Sequence, residues 1–292
     1  MSTEMSVGFL GLGVMGKPMA LNILKHNFPL SVYNRTAAKM QPLSEAGAFA
    51  CNTITELAER SDVIITMLPD SPESEEVIIC ESGLINFLRP GMTIIDMSSI
   101  APMVSKKLAS ELKLKEVEFL DAPVSGGEVG AIEGSLAIMV GGDEFVFKKQ
   151  LLLLKTMGKS VVYVGPVGSG GFTKLVNQMI VAINIAAMGE AFAFAEKAGL
   201  NIQTVFEAIK GGLAGSAVLD SKFPKIANQD FRPGFRLSLH RKDLKNVLAT
   251  ARQIGYDPKL TQKVQEAIVQ LCETGKEDLD HSAMVQYFKE DA

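Results

Sequence analysis

The chain has 292 residues, of which 47% are hydrophobic and 21% charged, and its formal net charge at pH 7 is −4. Those totals describe a globular protein large enough for two domains with sizeable cores, and they exclude a disordered chain. Mild acidity without any block of Lys or Arg argues against a nucleic-acid partner or an acidic membrane surface.

The opening "MSTEMS" passes directly into the apolar "VGFLG". It has no basic start, long apolar stretch or cleavage site, so no targeting segment is expected. Cys51, Cys80 and Cys272 lie far apart in no metal or redox pattern, which suits a reducing, cytoplasmic compartment. His26, His240 and His281 lack ligand spacing, and HExxH, GxSxG and Walker A sequences are absent. No metal site is expected.

Taken in chain order, seven short β-branched runs read as strands: "SVGFLG" from Ser6, "LSVYN" from Leu30, "DVIITML" from Asp62, "MTIIDM" from Met92, "VEFLDA" from Val117, "SLAIMVGG" from Ser135 and "VVYVG" from Val161. Helical patterns such as "GKPMALNILKHN" and "APMVSKKLASELKLK" lie between most of them. That alternation predicts an α/β domain with a mainly parallel sheet covered on both faces. After "GPVGSGG" only helical periodicity remains: a long helix from Gly170 to Leu200, then "NIQTVFEAIKGG", "LHRKDLKNVLATARQIG" and "PKLTQKVQEAIVQLCETG". The expected domains are therefore 1–165, α/β, and 166–292, all-helical. Asn177, Gln178, Asn184 and Glu190 interrupt the long helix. They leave no run of about 18 apolar residues, so it reads as a core helix rather than a membrane span.

The first strand runs into Gly11-x-Gly13-x-x-Gly16, and a helix begins at the third glycine. In that setting the glycines allow a tight turn, close approach of a pyrophosphate and close helix packing, which is the Rossmann dinucleotide fingerprint. Leu12, Val14 and Met15 complete the loop, and N–H groups at the helix start face the phosphates. Where an NAD-type site carries an acid at the end of the second strand, this chain has Asn34, Arg35 and Thr36. Arg35 suits a 2′-phosphate, aided by Asn34 and Thr36, so NADP(H) is favoured, with NAD(H) possible. Arg35 as a plain solvated residue is the bland alternative. Further strand ends place Met67, Leu68 and Pro69 as a cofactor wall and Ser99 toward the nicotinamide, with N-capping as the alternative role for Ser98 and Ser99.

Ser125, Gly126 and Gly127 offer a hydroxyl and exposed N–H groups to a small anion such as a substrate carboxylate, or else form an ordinary turn. On the long helix Lys174, Asn177 and Gln178 share one face of an otherwise apolar element. Burying such groups without partners costs several kcal/mol, roughly 2–7 for an amide, so a substrate is expected to meet them. A lysine enclosed in an apolar site is tuned toward neutrality and suits proton transfer to a carbonyl oxygen during hydride transfer. A surface lysine before the helix dips into the core is the alternative. Lys242 and Asp243 either close the pocket or form a solvated pair.

In order and spacing, "GFLGLGVMGKPMALNI", "DAPVSGGEVGAIEGSLAIMVGG", "GGFTKLVNQMIVAINIAAMGEA" and "LHRKDLKN" resemble the β-hydroxyacid dehydrogenase family over essentially the whole chain. The resemblance implies a Rossmann-like N-terminal domain, a helical C-terminal domain joined by a long interdomain helix, and a pocket between them. It further implies Lys174 as catalytic lysine, Ser125, Gly126 and Gly127 as carboxylate holders, Lys242 near cofactor or substrate, and assembly as a homodimer or homotetramer. Many members place Asn four residues after the lysine; here Asn177 stands at three and Gln178 at four, leaving open which amide contacts substrate. The expected reaction is reversible reduction of tartronate semialdehyde to glycerate, with 3-hydroxyisobutyrate dehydrogenase or glyoxylate/succinic semialdehyde reductase activity as alternatives. A catalytically silent NADP-binding oligomerisation module is the non-enzyme alternative.

Overall fold

The computed structural model describes residues 5–290, so the opening "MSTE", on which the targeting expectation partly rests, lies outside the described residues. The chain forms two compact units, Met1–Lys174 and Leu175–Ala292.

In the first unit the elements run β1 (Val7–Leu10), α1 (Gly16–Lys25), β2 (Leu30–Tyr33), α2 (Gln41–Glu45), β3 (Phe49–Ala50), α3 (Ile54–Glu59), β4 (Val63–Thr66), α4 (Ser71–Ile79) and β5 (Thr93–Asp96). Then come α5 (Pro102–Lys113), β6 (Glu118–Asp121), β7 (Val124–Ser125), α6 (Gly127–Glu133), β8 (Leu136–Gly142), α7 (Glu144–Leu154), β9 (Gly158–Gly165) and the start of α8 (Ser169–Lys197). The sheet order is β3-β2-β1-β4-β5-β6-β8, with β7 and β9 also paired to β8.

From β3 through β6 every pairing is parallel. Strand β8 instead runs antiparallel to β6 and β7 and parallel to β9. Strands β3 and β7 escape the sequence pattern because each is two residues long.

The strands are apolar on both faces because both are covered. Val63 and Ile65 join Met19 and Ile23 of α1 in one core, whereas Ile64 joins Leu57, Ile78 and Leu108 in the other. Helix starts are set by short polar side chains: Thr53 accepts from Glu56 N, and Asp143 accepts from the N–H groups of Phe145 and Val146.

In the second unit the rest of α8 is followed by α9 (Ile202–Ile209), α10 (Ala217–Ala227), α11 (Leu237–Gln253), α12 (Lys259–Leu271) and α13 (Val285–Glu290). Helix α10 is absent from the sequence reading because Pro224 lies inside it. Packing overrides that cost: Phe223 stacks on Phe206 at 4.0 Å between ring centroids and meets Phe192 at 5.1 Å.

Helix α8 contributes Leu175, Ala182, Ile185 and Phe192 to the core but is only partly enclosed. By length and composition α8 is long and apolar enough to cross a membrane, yet only 44% of its most apolar window is buried. Ile185 and Phe192 are enclosed, while Val176, Ile180 and Phe194 are each more than half exposed. A helix with apolar residues on every side must expose some of them wherever its neighbours pack on one side only.

Candidate active site

At the end of β1 the chain turns through Gly11, whose φ of 99° favours glycine. A side chain there would strike the Met67 carbonyl, and one at Gly16 would strike the Gly11 carbonyl. At Gly13, by contrast, a Cβ would meet nothing, so the exposed backbone leaves room for a phosphate group. Leu12 is buried beneath the loop, Val14 is exposed and Met15 partly buried. The cradle fits a dinucleotide.

Asn34 at the end of β2 fixes this loop. Its Oδ1 accepts from Leu12 N at 2.9 Å, and its Nδ2 donates to the Thr36 carbonyl at 3.0 Å. Asn34 thus braces the glycine loop, and its Nδ2 keeps a second N–H. Arg35 and Thr36 remain exposed beside it.

The segment Met67, Leu68 and Pro69 lies against the glycine turn, where Met67 N donates to the Leu10 carbonyl at 2.9 Å. Leu68 N donates to Ser98 Oγ at 2.8 Å. The Ser98 hydroxyl in turn donates to Asp96 Oδ1, which also accepts from Thr66 Oγ1 and Ser98 N. Burial pushes the Asp96 carboxyl up, against the lowering effect of those bonds. Ser98 thus ties two strand ends together. Neither Ser98 nor Ser99 caps α5: the N-cap is Ala101, whose N–H donates to Ser71 Oγ at 3.0 Å. Ser99 is partly buried.

Thr66, Asp96 and Asp121 are register partners across β4, β5 and β6. Asp121 Oδ1 accepts from Gly168 N and Oδ2 from Gly171 N, both at 2.8 Å, so a strand-end carboxylate holds the start of α8. Gly141 and Gly170 crowd Asp121 so closely that a Cβ on either would collide with it. Burial pushes the Asp121 carboxyl up to about 6, opposed by the two N–H bonds and reinforced by the charge of Asp96. Lys174, in the second turn of the helix so anchored, is 8% exposed, which removes the surface-lysine alternative. In the same unit Ser125 ends β7, and Gly126 and Gly127 take φ of 137° and 62° with their backbone exposed.

In the second unit the next turn of α8 meets α11. Asn177 Nδ2 donates to Gln178 Oε1 at 2.8 Å, and Gln178 Nε2 donates to Asp243 Oδ2 at 2.5 Å. Lys242 Nζ lies 3.1 Å from Asp243 Oδ1, with side-chain exposures of 18% and 4%. The Lys–Asp pair is therefore largely enclosed, not a solvated face. His240 Nε2 faces the Gln178 carbonyl at 3.3 Å and Nδ1 faces His281 Nδ1 at 3.0 Å. A carbonyl only accepts, so His240 carries its proton on Nε2 and receives a hydrogen bond from His281. Burial, reinforced by the Lys222 ammonium, holds the His281 pKa well below 6.5.

Sequence reading missed Asp96, Asp121 and the His240–His281 pair as site-positioning groups. A faint signal existed for the two acids: each ends an otherwise apolar strand.

A Gly-rich cradle at the carboxyl ends of β1 and β4, where the strand order reverses, and an enclosed lysine on α8 define a nicotinamide-dependent dehydrogenase. Residues 6–165 match the family model described as the NAD binding domain of 6-phosphogluconate dehydrogenase, and residues 168–288 match that of the NAD-binding region of NADP-dependent 3-hydroxyisobutyrate dehydrogenase. The chain is 42% identical to 2-hydroxy-3-oxopropionate reductase of Escherichia coli (strain K12), over 97% of this chain and 96% of that one. It is 34% identical to mitochondrial 3-hydroxyisobutyrate dehydrogenase of Mus musculus, over 100% of this chain and 89% of that one. The solved structure of Mycobacterium tuberculosis 3-hydroxyisobutyrate dehydrogenase with L-serine superposes with a TM-score of 0.89 at 29% identity, covering 97% of this chain and 98% of that one. The chain belongs to the β-hydroxyacid dehydrogenase family and is an NAD(P)-dependent oxidoreductase acting on a hydroxyl group.

Proposed function

We propose that the chain catalyses reversible reduction of tartronate semialdehyde (2-hydroxy-3-oxopropanoate) to glycerate, with NADP(H) favoured over NAD(H). The observation that carries this reading is the enclosure of Lys174 on a helix face whose next turn bears two amides. The name of the 42%-identical relative supports the substrate.

A nicotinamide coenzyme held by the glycine cradle supplies the hydride. Lys174 donates a proton to the carbonyl oxygen as negative charge develops there. The Ser125 hydroxyl and the N–H groups of Gly126 and Gly127 hold the substrate carboxylate. Arg35 meets the 2′-phosphate as a charge-assisted partner, and β2 ends without a carboxylate that would repel it. Ser99 and the wall formed by Met67, Leu68 and Pro69 orient the nicotinamide.

The test follows NADPH oxidation with tartronate semialdehyde, the aldehyde of 3-hydroxyisobutyrate, succinic semialdehyde and glyoxylate. Preferential turnover of tartronate semialdehyde is expected. Turnover of none of the four sinks the assignment, and preference for another moves it to a sister activity. Lys174→Ala separates enzyme from binding module: turnover should collapse while coenzyme still binds.

A further inference from the structure

The hydrogen bonds around Gln178 have a fixed direction. Asp243 is paired with the Lys242 ammonium, and a carboxylate only accepts. The Gln178 atom facing it must therefore be the Nε2 donor, which turns Oε1 away. Oε1 only accepts, so Asn177 must offer Nδ2 to it. Asn177 keeps Oδ1 and the second N–H of Nδ2, and among the described residues no donor is recorded at Oδ1. Asn177 is partly buried, and Oδ1 is not among the enclosed unpartnered atoms. The ion pair thus sets which end of the Asn177 amide faces Gln178, and it leaves Oδ1 as an acceptor on the helix face that carries Lys174.

We propose that Asn177 Oδ1 accepts a hydrogen bond from a substrate hydroxyl on the carbon next to the reacting carbonyl. The site then selects semialdehyde acids bearing a hydroxyl there over those bearing a methyl group. This rests on the reading that substrate lies along the Lys174 face. Gln178 is a positioning residue, and Asn177 determines specificity. A methyl group at that carbon leaves the acceptor unpaired, which is where such sites gain their discrimination.

The experiment measures kcat/KM for tartronate semialdehyde and for the methyl-bearing aldehyde of 3-hydroxyisobutyrate in the wild type and in Asn177→Leu, with NADPH affinity measured alongside. The ratio of the two kcat/KM values should fall by about 10- to 100-fold in the variant, through the hydroxyl substrate, while NADPH affinity stays unchanged. If both substrates lose equally, so that the ratio holds, the inference is overturned and the proposed function stands. A wild type inactive on both substrates and on the other semialdehydes overturns the inference together with the function. Where Asn177→Leu fails to bind NADPH, Asn177→Ser, which adds no bulk and cannot reach as far, gives the same reading.

Discussion

Replacing Asp121 by Asn should remove a defined part of the pH dependence of stability. The Asp121 carboxyl sits at about 6, against an ordinary value of 3.8, chiefly because it is buried. The folded protein therefore binds this proton more tightly than the unfolded chain does. As pH rises from 3.8 through 6 the fold loses stability, and the whole cost of the buried charge is present above 6. A gap of about two units, at 1.36 kcal/mol per unit, amounts to about 3 kcal/mol as an order of magnitude. Asn cannot titrate. The stability difference between wild type and variant should shift by about 3 kcal/mol in favour of the wild type between pH 7 and pH 4. A separate cost of about 1–3 kcal/mol, constant with pH, arises because Nδ2 of Asn would face one of the two glycine N–H groups. His281 acts in the opposite sense: its lowered pKa means that stability is lost as pH falls below 6.5. That contribution is common to both proteins and cancels in the difference. Urea titrations at several pH values, with slopes compared as well as midpoints, measure it. A difference that stays flat from pH 4 to pH 7 would refute the assignment of the buried charge to Asp121.

Other substitutions test the remaining parts. Lys174→Ala should lower kcat by about 10²- to 10⁴-fold, the usual worth of a general acid, without weakening coenzyme binding, as stopped-flow and fluorescence titration would read. Arg35→Asp should raise the KM for NADPH by about 10- to 100-fold and leave that for NADH nearly unchanged. An equal loss with both coenzymes would count against the 2′-phosphate role. Ser98→Ala removes the partner of Leu68 N and should cost about 1–3 kcal/mol in denaturant unfolding.

Much of the first unit is legible in the sequence because a parallel sheet covered on both faces demands apolar runs. "VIIT" and "TIID" are buried at every position, so burial alone marks them as strands. The glycine turn is legible for a related reason: Gly11 and Gly16 are dictated by contacts with backbone a few residues away or across one strand. What stayed hidden depends on partners remote in sequence. Asp121 finds its N–H donors 47 and 50 residues on, and no local pattern encodes that distance. Lys242 and Asp243 look like any charged pair on an amphipathic helix, because enclosure is a property of what packs over them. Helix α10 was masked by Pro224, whose local penalty is outweighed by the Phe206 and Phe192 contacts of Phe223.

The same remoteness decides what Asn177 can do. A sequence shows an amide with a donor and an acceptor and is silent on which faces outward, whereas the structure removes that freedom one bond at a time, beginning at a carboxylate. Gln178 is held twice, by Asp243 at its side chain and by His240 at its carbonyl, so its orientation does not depend on substrate. A single change at position 178 can therefore release the polarity of Asn177 but cannot invert it. Gln178→Met would let the Asn177 amide rotate freely, weakening selection for a hydroxyl without creating selection against it. Inversion would require a donor in place of the Asp243 carboxylate, and with it the loss of the Lys242 pair. The preference for an acceptor at Asn177 is thus built into the packing of α11 on α8, which makes specificity and helix packing one physical arrangement.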